Sequence, residues 1–315
     1  MAFPQSAGMP DYTRAGTSKF IPELWSSKLV QNLYNSTVFG EIANTDYEGV
    51  ISKFGDVVQI RTTPDITIRT YSKGQNLVNE RPEKASLTLN IDQGDYFACI
   101  EDDVDRIQAD IELLDIWSKD ASTRMKLKMD RTLLDSVATG TQSANLDALN
   151  IGASAGAISQ SINLGATGSP VAITKVNILD FIVNLGVVLD ESNTPEDNRW
   201  LLLPAWACGM IKKSDLKDAS LSGDGSSIMR NGRIGMIDRF TIYMSNQLTR
   251  TTEGANTAFH MFAGHKLGLT FATQMTEMET LRSETTFGNV IRGLQVYGFQ
   301  ITKKEVLSRL YGYQA

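Results

Sequence analysis

Few residues in this sequence are of types and spacings that could do chemistry, and the densest group is a run of carboxylates. Glu101, Asp102, Asp103 and Asp105 follow a predicted strand and precede a long predicted helix. With so few histidines, acid–base catalysis would have to rest on carboxylates, and oxygen ligands of this kind also suit a divalent metal. The alternative is a patch that faces solvent or a partner, because a helix N-terminus tolerates negative charge.

The other reactive residue types form no recognisable site. His260 and His265 are the only histidines, and their separation misses the i,i+4 spacing of helical zinc ligands. Cys99 and Cys208 lie in apolar contexts, which predicts buried free thiols. The glycine-rich stretches lack the Lys-Ser/Thr ending of a phosphate-binding loop. We therefore expect no cofactor, no metal and no enzymatic activity.

Composition narrows the class of protein further. The chain has 315 residues, a formal net charge of −6 and a pI near 5.1. A mildly acidic balance argues against a dedicated nucleic-acid grip, which would normally show a basic face. No apolar run approaches the roughly 20 residues that a membrane span needs, and the N-terminus does not have the pattern of a signal peptide. We expect a soluble, cytoplasmic product with no membrane partner.

A helix over residues 110–138 is the longest predicted element and the one that must position the carboxylates. Apolar residues recur there in steps of three and four, and the segment contains no Gly or Pro. Such a helix would be on the order of 40 Å long. It predicts a spine with a sheet lying along it; a coiled coil is the alternative, although the flanking sequence does not continue the heptads.

A long hairpin is predicted before the spine helix. Residues 57–62 and 66–71 read as strands, a polar stretch follows, and residues 85–91 alternate cleanly between apolar and polar. Lys73 and Arg81 lie in the polar stretch. A long hairpin without an apolar face of its own does not fold stably alone, so it should lie on another surface.

The rest of the chain predicts a mixed α+β fold. Residues 1–19 read as an arm that cannot order by itself, and a helix should begin near residue 20. Thr174 is the expected N-cap of a helix ending at residue 191. The further predicted elements are strands at 199–204, 240–244, 259–263, 275–284 and 290–301, and helices at 205–212, 266–273 and 303–310.

Several stretches, taken together and in order, resemble the major capsid proteins of tailed bacteriophages, the family with the HK97 fold. They include Ile21-Pro22-Glu23-Leu24-Trp25-Ser26, Phe54-Gly55-Asp56 followed by 57–60, Tyr96-Phe97 with Ile100-Glu101-Asp102, residues 229–235, and Val290-Ile291-Arg292-Gly293. The set spans nearly the whole chain.

The resemblance implies a division of the chain into the parts of an HK97-like capsid fold. These are an N-terminal arm (1–19), an N-terminal helix and lead-in (20–56), an extended β-hairpin called the E-loop (57–95), a P-domain with the spine helix (96–171 and 275–286) and an A-domain (172–274 and 287–315).

The resemblance also implies a function: a structural subunit, made in the host bacterial cytoplasm, that assembles into the icosahedral head shell of the virion. Hexamers and pentamers of the chain would enclose double-stranded DNA, with a portal protein, a separate scaffolding protein and weak, non-specific DNA contact. Some members cross-link through an E-loop lysine; Lys73 and Lys84 are available, but no motif identifies the asparagine. The alternatives are a nanocompartment shell around protein cargo and a carboxylate-based metal hydrolase.

Charge complementarity between copies is the corresponding prediction for individual residues. The basic residues of the hairpin are expected to face acidic residues of a neighbouring copy, although these charges could also simply keep the hairpin soluble. The candidates are Arg69, Lys73, Arg81 and Lys84 on the hairpin, and Asp102, Asp103, Asp105 and Asp110 on the neighbour.

Overall fold

The computed structural model of the chain describes residues 37–46, 57–61, 64, 66–81, 86–103, 113–139, 162–214 and 235–315. The predicted N-terminal arm and most of the predicted first helix lie outside these residues. So do Lys84, Asp105 and Asp110. The first described helix, α1 (Phe39–Ile42), is a single turn that packs Ile42 into the core.

The spine helix, α2 (Leu113–Ala138), has 26 residues and is therefore about 39 Å long. Its C-terminal end agrees with the sequence prediction, while residues 110–112 lie outside the described part of the chain. Its C-terminal half buries Met129, Leu133, Leu134 and Val137 in the main core. Its N-terminal half lies along the strand that precedes it, so one helix joins two parts of the fold.

That neighbouring strand belongs to a three-stranded antiparallel sheet in the order β10-β11-β3. The strands are β3 (Gln93–Asp102), β10 (Leu269–Arg282) and β11 (Gly288–Ile301). β11 pairs with β3 over ten residues, from Gly288 opposite Asp102 to Tyr297 opposite Gln93. β10 therefore crosses the predicted boundary between residues 274 and 275. β11 lies wholly in the predicted A-domain, yet it pairs with β3 of the predicted P-domain.

The hairpin pairs differently from the prediction. β1 (Val57–Arg61) pairs with β2 (Ser86–Asn90) in antiparallel register, Val57 opposite Asn90 and Arg61 opposite Ser86. The strand predicted at 66–71 was wrong, because residues 66–71 form no ladder with any described strand. β2 pairs with residues 57–61, and Leu89 of β2 is buried in this arrangement. Residues 66–71, whose apolar and polar side chains alternate, lie outside the sheet.

The largest layer is a seven-stranded sheet in the order β4-β12-β9-β5-β7-β6, with β8 on the edge of β9. Helix α3 (Ile178–Glu191) packs on this sheet through a buried stripe, and α4 (Ala205–Lys213) follows β5 as predicted. The strands are β4 (Val171–Ile173), β5 (Arg199–Leu203), β6 (Met236–Ile237), β7 (Phe240–Met244), β8 (Arg250–Glu253), β9 (Asn256–His265) and β12 (Leu307–Gln314).

Three local predictions about helices were wrong. The helices predicted at 266–273 and 303–310 are short 3₁₀ turns, Lys266–Gly268 and Lys304–Val306, each followed directly by a strand. Sheet pairing outweighs local helix propensity in both places. Thr174 does not cap α3 either: its hydroxyl accepts from the Asn177 amide at 3.4 Å, in a turn that precedes the helix.

Candidate inter-subunit surfaces

The tip of the hairpin, residues 66–81, is exposed at every position. We call these residues the tip segment. It carries large apolar side chains that contact no core: Ile68 is 91% exposed and Leu77 is 77% exposed. The sequence predicted a strand at residues 66–71 and a polar stretch after it, and these side chains were not among the predicted contact candidates. The full set is Ile66, Ile68, Tyr71, Leu77 and Val78.

Hydrogen bonds hold the two sides of the tip segment together without a strand ladder. The Thr67 amide and hydroxyl donate to the Glu80 carboxylate at 3.2 and 3.3 Å. A turn closes the end, where the Gln75 amide donates to the Ser72 carbonyl at 3.0 Å and Gly74 has φ +87, a conformation that favours glycine. Hydrogen bonds within the single chain therefore define the conformation of the tip segment.

The stem of the hairpin is fixed to its own subunit. Leu89 is fully buried and packs with Ile60, Ile91 and Ala272. A Cβ at Gly298 would lie 2.2 Å from the Asn90 carbonyl oxygen, so only glycine lets β2 end this close to β11. The contrast between a packed stem and an exposed tip indicates an appendage that is directed outward.

The predicted charge partners are only partly available for contact with another copy. Arg69, Lys73 and Arg81 are exposed and form no ion pair with any described residue. Asp103, in contrast, forms a two-pronged ion pair with Arg282 of its own chain, so its charge is already compensated.

The three described carboxylates of the cluster, Glu101, Asp102 and Asp103, do not converge on a metal site. Glu101 is buried and Asp102 is exposed, as expected for successive residues that point to opposite faces of a strand. No group of three or more His, Cys, Asp or Glu residues in the described ranges is arranged to hold a metal ion.

The sheet face on which Tyr96 lies is an exposed surface of mixed character. Tyr96 is 80% exposed, and beside it lie Leu294 and Glu277. A depression of about 470 Å³ includes these residues. We call this surface the outward sheet face; its register-matched rows are Tyr96–Leu294–Glu277, Ala98–Arg292–Glu279 and Ile100–Val290–Leu281. Arg292 and Glu279 form an ion pair.

A second depression, of about 600 Å³, lies between β3 and the spine helix. Phe97, Trp117 and Met125 line it, with Arg124 and Lys128 also in its wall. Asp120 and Asp95 also line it and pair with these two cations, so their charges balance. The outward sheet face instead carries Glu277 beside the ion pair of Glu279 and Arg292.

An ion-paired network orders the end of the seven-stranded sheet that carries the β6–β7 turn. Arg199 is buried and donates to the carbonyls of Thr194 and Pro195 at 2.6 and 2.8 Å. It pairs with Asp190 at 2.7 Å, and Arg239 pairs with the same carboxylate at 2.6 Å. Burial alone would raise the pKa of Asp190, but the two guanidinium groups lower it below its usual value. This network has a structural role. No sequence motif predicts it.

The two histidines are packed side chains. His260 is fully buried and its ring lies 4.4 Å from that of Tyr311. Burial lowers the pKa of His260 to about 4, so the ring is neutral near pH 7. Cys208 is buried as predicted and burial raises the pKa of its thiol to about 11, whereas Cys99 is half-buried in the wall of the groove beside the spine helix.

Comparison with known proteins identifies the family. A family model for phage capsid proteins matches residues 86–305, more than half of the chain. The chain belongs to the phage capsid protein family. No curated protein matches it. Among solved structures, one from Mycobacterium phage Che8 is 26% identical, covering 93% of this chain and 98% of that one with a TM-score of 0.75.

More distant capsid structures share the fold. The capsid of cyanophage P-SCSP1u is 14% identical, with 95% of each chain covered and a TM-score of 0.70. The capsid of cyanophage Pam1 is 8% identical, with 98% of this chain and 99% of that chain covered and a TM-score of 0.64. The mixed helix-and-strand fold is thus the HK97-like capsid fold predicted from the sequence.

Membership of this family gives the coarse function of the chain. It is a structural subunit of a capsid shell, a component of the virion, and it works as part of a multimeric assembly. Neither the nanocompartment shell nor the metal hydrolase finds support. None of the helices in the described ranges is both long and apolar enough to cross a membrane.

Proposed function

We propose that the chain tiles an icosahedral head shell around double-stranded DNA, with the tip segment of each copy lying on the outward sheet face of the next. One observation carries this proposal: residues 66–81 expose large apolar side chains on a packed stem. Isolated exposed apolar residues are ordinary, but a contiguous group on a projecting arm marks a contact surface.

Chemical complementarity supports the outward sheet face as the acceptor. The tip segment presents Arg69, Lys73 and Arg81 among its apolar residues. The outward sheet face presents Glu277, and Glu279 in its pair with Arg292, among Tyr96, Leu294 and Ile100. The groove beside the spine helix offers no such surplus of negative charge, because Asp95 and Asp120 in its wall already pair with Lys128 and Arg124. Single exposed ion pairs contribute roughly 0–1 kcal/mol each, so they would set the register while apolar burial supplies most of the free energy.

The symmetry of such a contact accounts for a closed shell. The tip segment of one copy and the sheet face of the next are different surfaces, so the contact is heterologous and forms rings when the rotation closes. Rings of six and five copies give the hexamers and pentamers of an icosahedral shell. In this proposal residues 57–95 act as the E-loop, the spine helix and the β10-β11-β3 sheet form the P-domain, and the seven-stranded sheet forms the A-domain.

The remaining partners follow from the same role. A portal protein and a separate scaffolding protein would complete assembly in the cytoplasm of the bacterial host. The net charge of −6 suits a container that holds packaged DNA only weakly. The chain would carry no catalytic activity.

Charge reversal tests the proposed contact. The pair Arg81→Glu and Lys84→Glu should impair particle formation, as seen by electron microscopy, and leave thermal unfolding of the subunit unchanged. A matched rescue is available: Glu277→Arg with Glu279→Arg should restore particles in the reversed background and impair assembly alone. Normal particles from the reversed chain would refute the role of charge. Failure of the rescue alone would place the acceptor on another surface.

A further inference from the structure

A buried carboxylate in the spine helix holds the segment that leads to the N-terminal part of the chain. Asp130 has no exposed surface. Its Oδ1 accepts hydrogen bonds from the amides of Val38 and Phe39 at 3.3 and 3.0 Å. These amides open α1 and have no partner within so short a helix, so Asp130 caps it from 92 residues away.

Further contacts hold residues 38–44 in place, and we call the groups that contact them the seat. The Phe39 ring lies 4.9 Å from that of Phe271, and Ile42 is buried beside the spine helix. The Asn44 amide donates to Leu269 at 2.7 Å, and the Asn44 carbonyl accepts from the Phe271 amide at 2.9 Å. Residues 38–44 are therefore fixed to the spine helix and to β10 by both backbone and side-chain contacts.

One buried polar atom of the seat makes no hydrogen bond to a described residue. The second carboxylate oxygen of Asp130, Oδ2, is buried and has no hydrogen-bond partner among the described residues. A buried anion without a counter-charge is costly, whereas a neutral carboxyl can keep its carbonyl oxygen on both amides. Burial accordingly raises the pKa of Asp130 to about 6, against the lowering effect of the two amides.

No charged neighbour obscures this behaviour. On its own helix, Arg131 pairs with Asp135 at 3.5 Å, and Lys126 is exposed. From the other elements around the seat, Glu41 accepts from the Tyr243 hydroxyl at 3.3 Å and lies 4.0 Å from Lys266. The pKa of Asp130 is set by its burial and the Val38 and Phe39 amides, not by any of these groups.

We propose that Asp130 is an acid-set latch: the seat of residues 38–44 opens more readily at neutral pH and closes when the carboxylate takes up a proton. Residues 38–44 are then held loosely near neutral pH and firmly under mild acid. This role is separate from the contact proposed for the tip segment, and neither depends on the other.

Amide hydrogen exchange on the full-length chain tests the latch. If the open seat exposes Asp130 to water with its ordinary pKa of 3.8, the opening equilibrium for residues 38–44 should fall about tenfold between pH 7.5 and pH 5. Asp130→Asn keeps a neutral acceptor and removes the charge, so its protection should be at least that of the wild type at pH 7.5 and should not change with pH.

The control variant is Asp120→Asn, on the same helix, where the carboxylate pairs with Arg124 at 2.9 Å on a partly exposed face. It should keep the tenfold response. The proposal is overturned if wild-type protection stays level or falls on acidification, or if Asp130→Asn responds like the wild type. Should Asp130→Asn not fold, the wild-type and Asp120→Asn profiles still decide, because a pH-independent seat in both contradicts the latch.

Discussion

The seven-stranded sheet and the tip segment differ in the burial of their apolar residues. All five residues of β5, Arg199 to Leu203, are buried. Every residue of the tip segment is exposed, including Ile68 and Leu77. The sheet is complete within one chain, and the tip segment leaves its apolar surface uncovered. In the proposed shell, the body of the subunit would fold alone and the appendage would gain its contacts from another copy.

The largest effect should come from the body of the subunit. Leu201→Ala removes a fully buried side chain from the centre of β5 and should lower the free energy of unfolding by about 2–5 kcal/mol. The control Leu201→Met keeps the volume and should cost less than about 1.5 kcal/mol. Urea unfolding of the unassembled subunit measures both. Equal, small losses would mean that the sheet is not a packed core.

The pH dependence of unfolding offers a second test, because the buried His260 makes the body of the subunit less stable in acid. Burial lowers the pKa of His260 to about 4 from 6.5. Its contribution to stability is therefore complete above pH 6.5 and lost as the pH falls toward 4, by roughly 3 kcal/mol. Asp130, whose pKa is raised, contributes in the opposite sense.

Urea unfolding of single variants at pH 7.5 and 4.5 distinguishes the contribution of His260 to stability from that of Asp130. Relative to the wild type, His260→Gln should become more stable at the lower pH, and Asp130→Asn should become less stable there. A pH profile for His260→Gln that parallels the wild type would show that the buried ring does not titrate as described.

The stem of the hairpin should behave like the body. Gly298→Ala places a Cβ against the Asn90 carbonyl and should cost about 1–3 kcal/mol by pushing β2 away from β11. Gly94→Ala is the matched control, because no atom lies within 4 Å of its added Cβ. Thermal unfolding of both compares them directly. Tolerance of Gly298→Ala would mean that the stem is not fixed by this approach.

The tip should show the smallest effect on folding and a large effect on assembly. Ile68→Ser with Leu77→Ser should change the free energy of unfolding by no more than about 0.5 kcal/mol, because both side chains are exposed. Particle yield should nevertheless fall sharply. Asn76→Ser, an exposed polar change in the same segment, should leave both unchanged. A destabilised subunit in the double variant would place these side chains against their own chain.

Long regular patterns allowed much of the fold to be predicted from the sequence. The end of the spine helix, the buried strand β5 and helix α4 all have enough consecutive periodic or apolar residues to identify them. The helix predicted at 303–310 was wrong because Leu307, Leu310 and Tyr311 have helical spacing. Their pairing with β9, which is distant in sequence, determines their structure.

The proposed inter-subunit surfaces were harder to predict for a different reason. The alternation of Ile66 and Ile68 looks like a strand, and only the observed pairing of β1 with β2 leaves these residues outside it. Single buried charges such as Asp130 and Arg199 make no periodic pattern at all. Their roles depend on which distant backbone groups the fold brings to them.

Hydrogen exchange of residues 66–81, compared between assembled particles and dissociated subunits, tests most directly whether the tip segment is completed by another copy. We predict rapid exchange in the free subunit and strong protection in the particle, while the amides of β5 stay protected in both. Rapid exchange of the tip segment in intact particles would contradict the account.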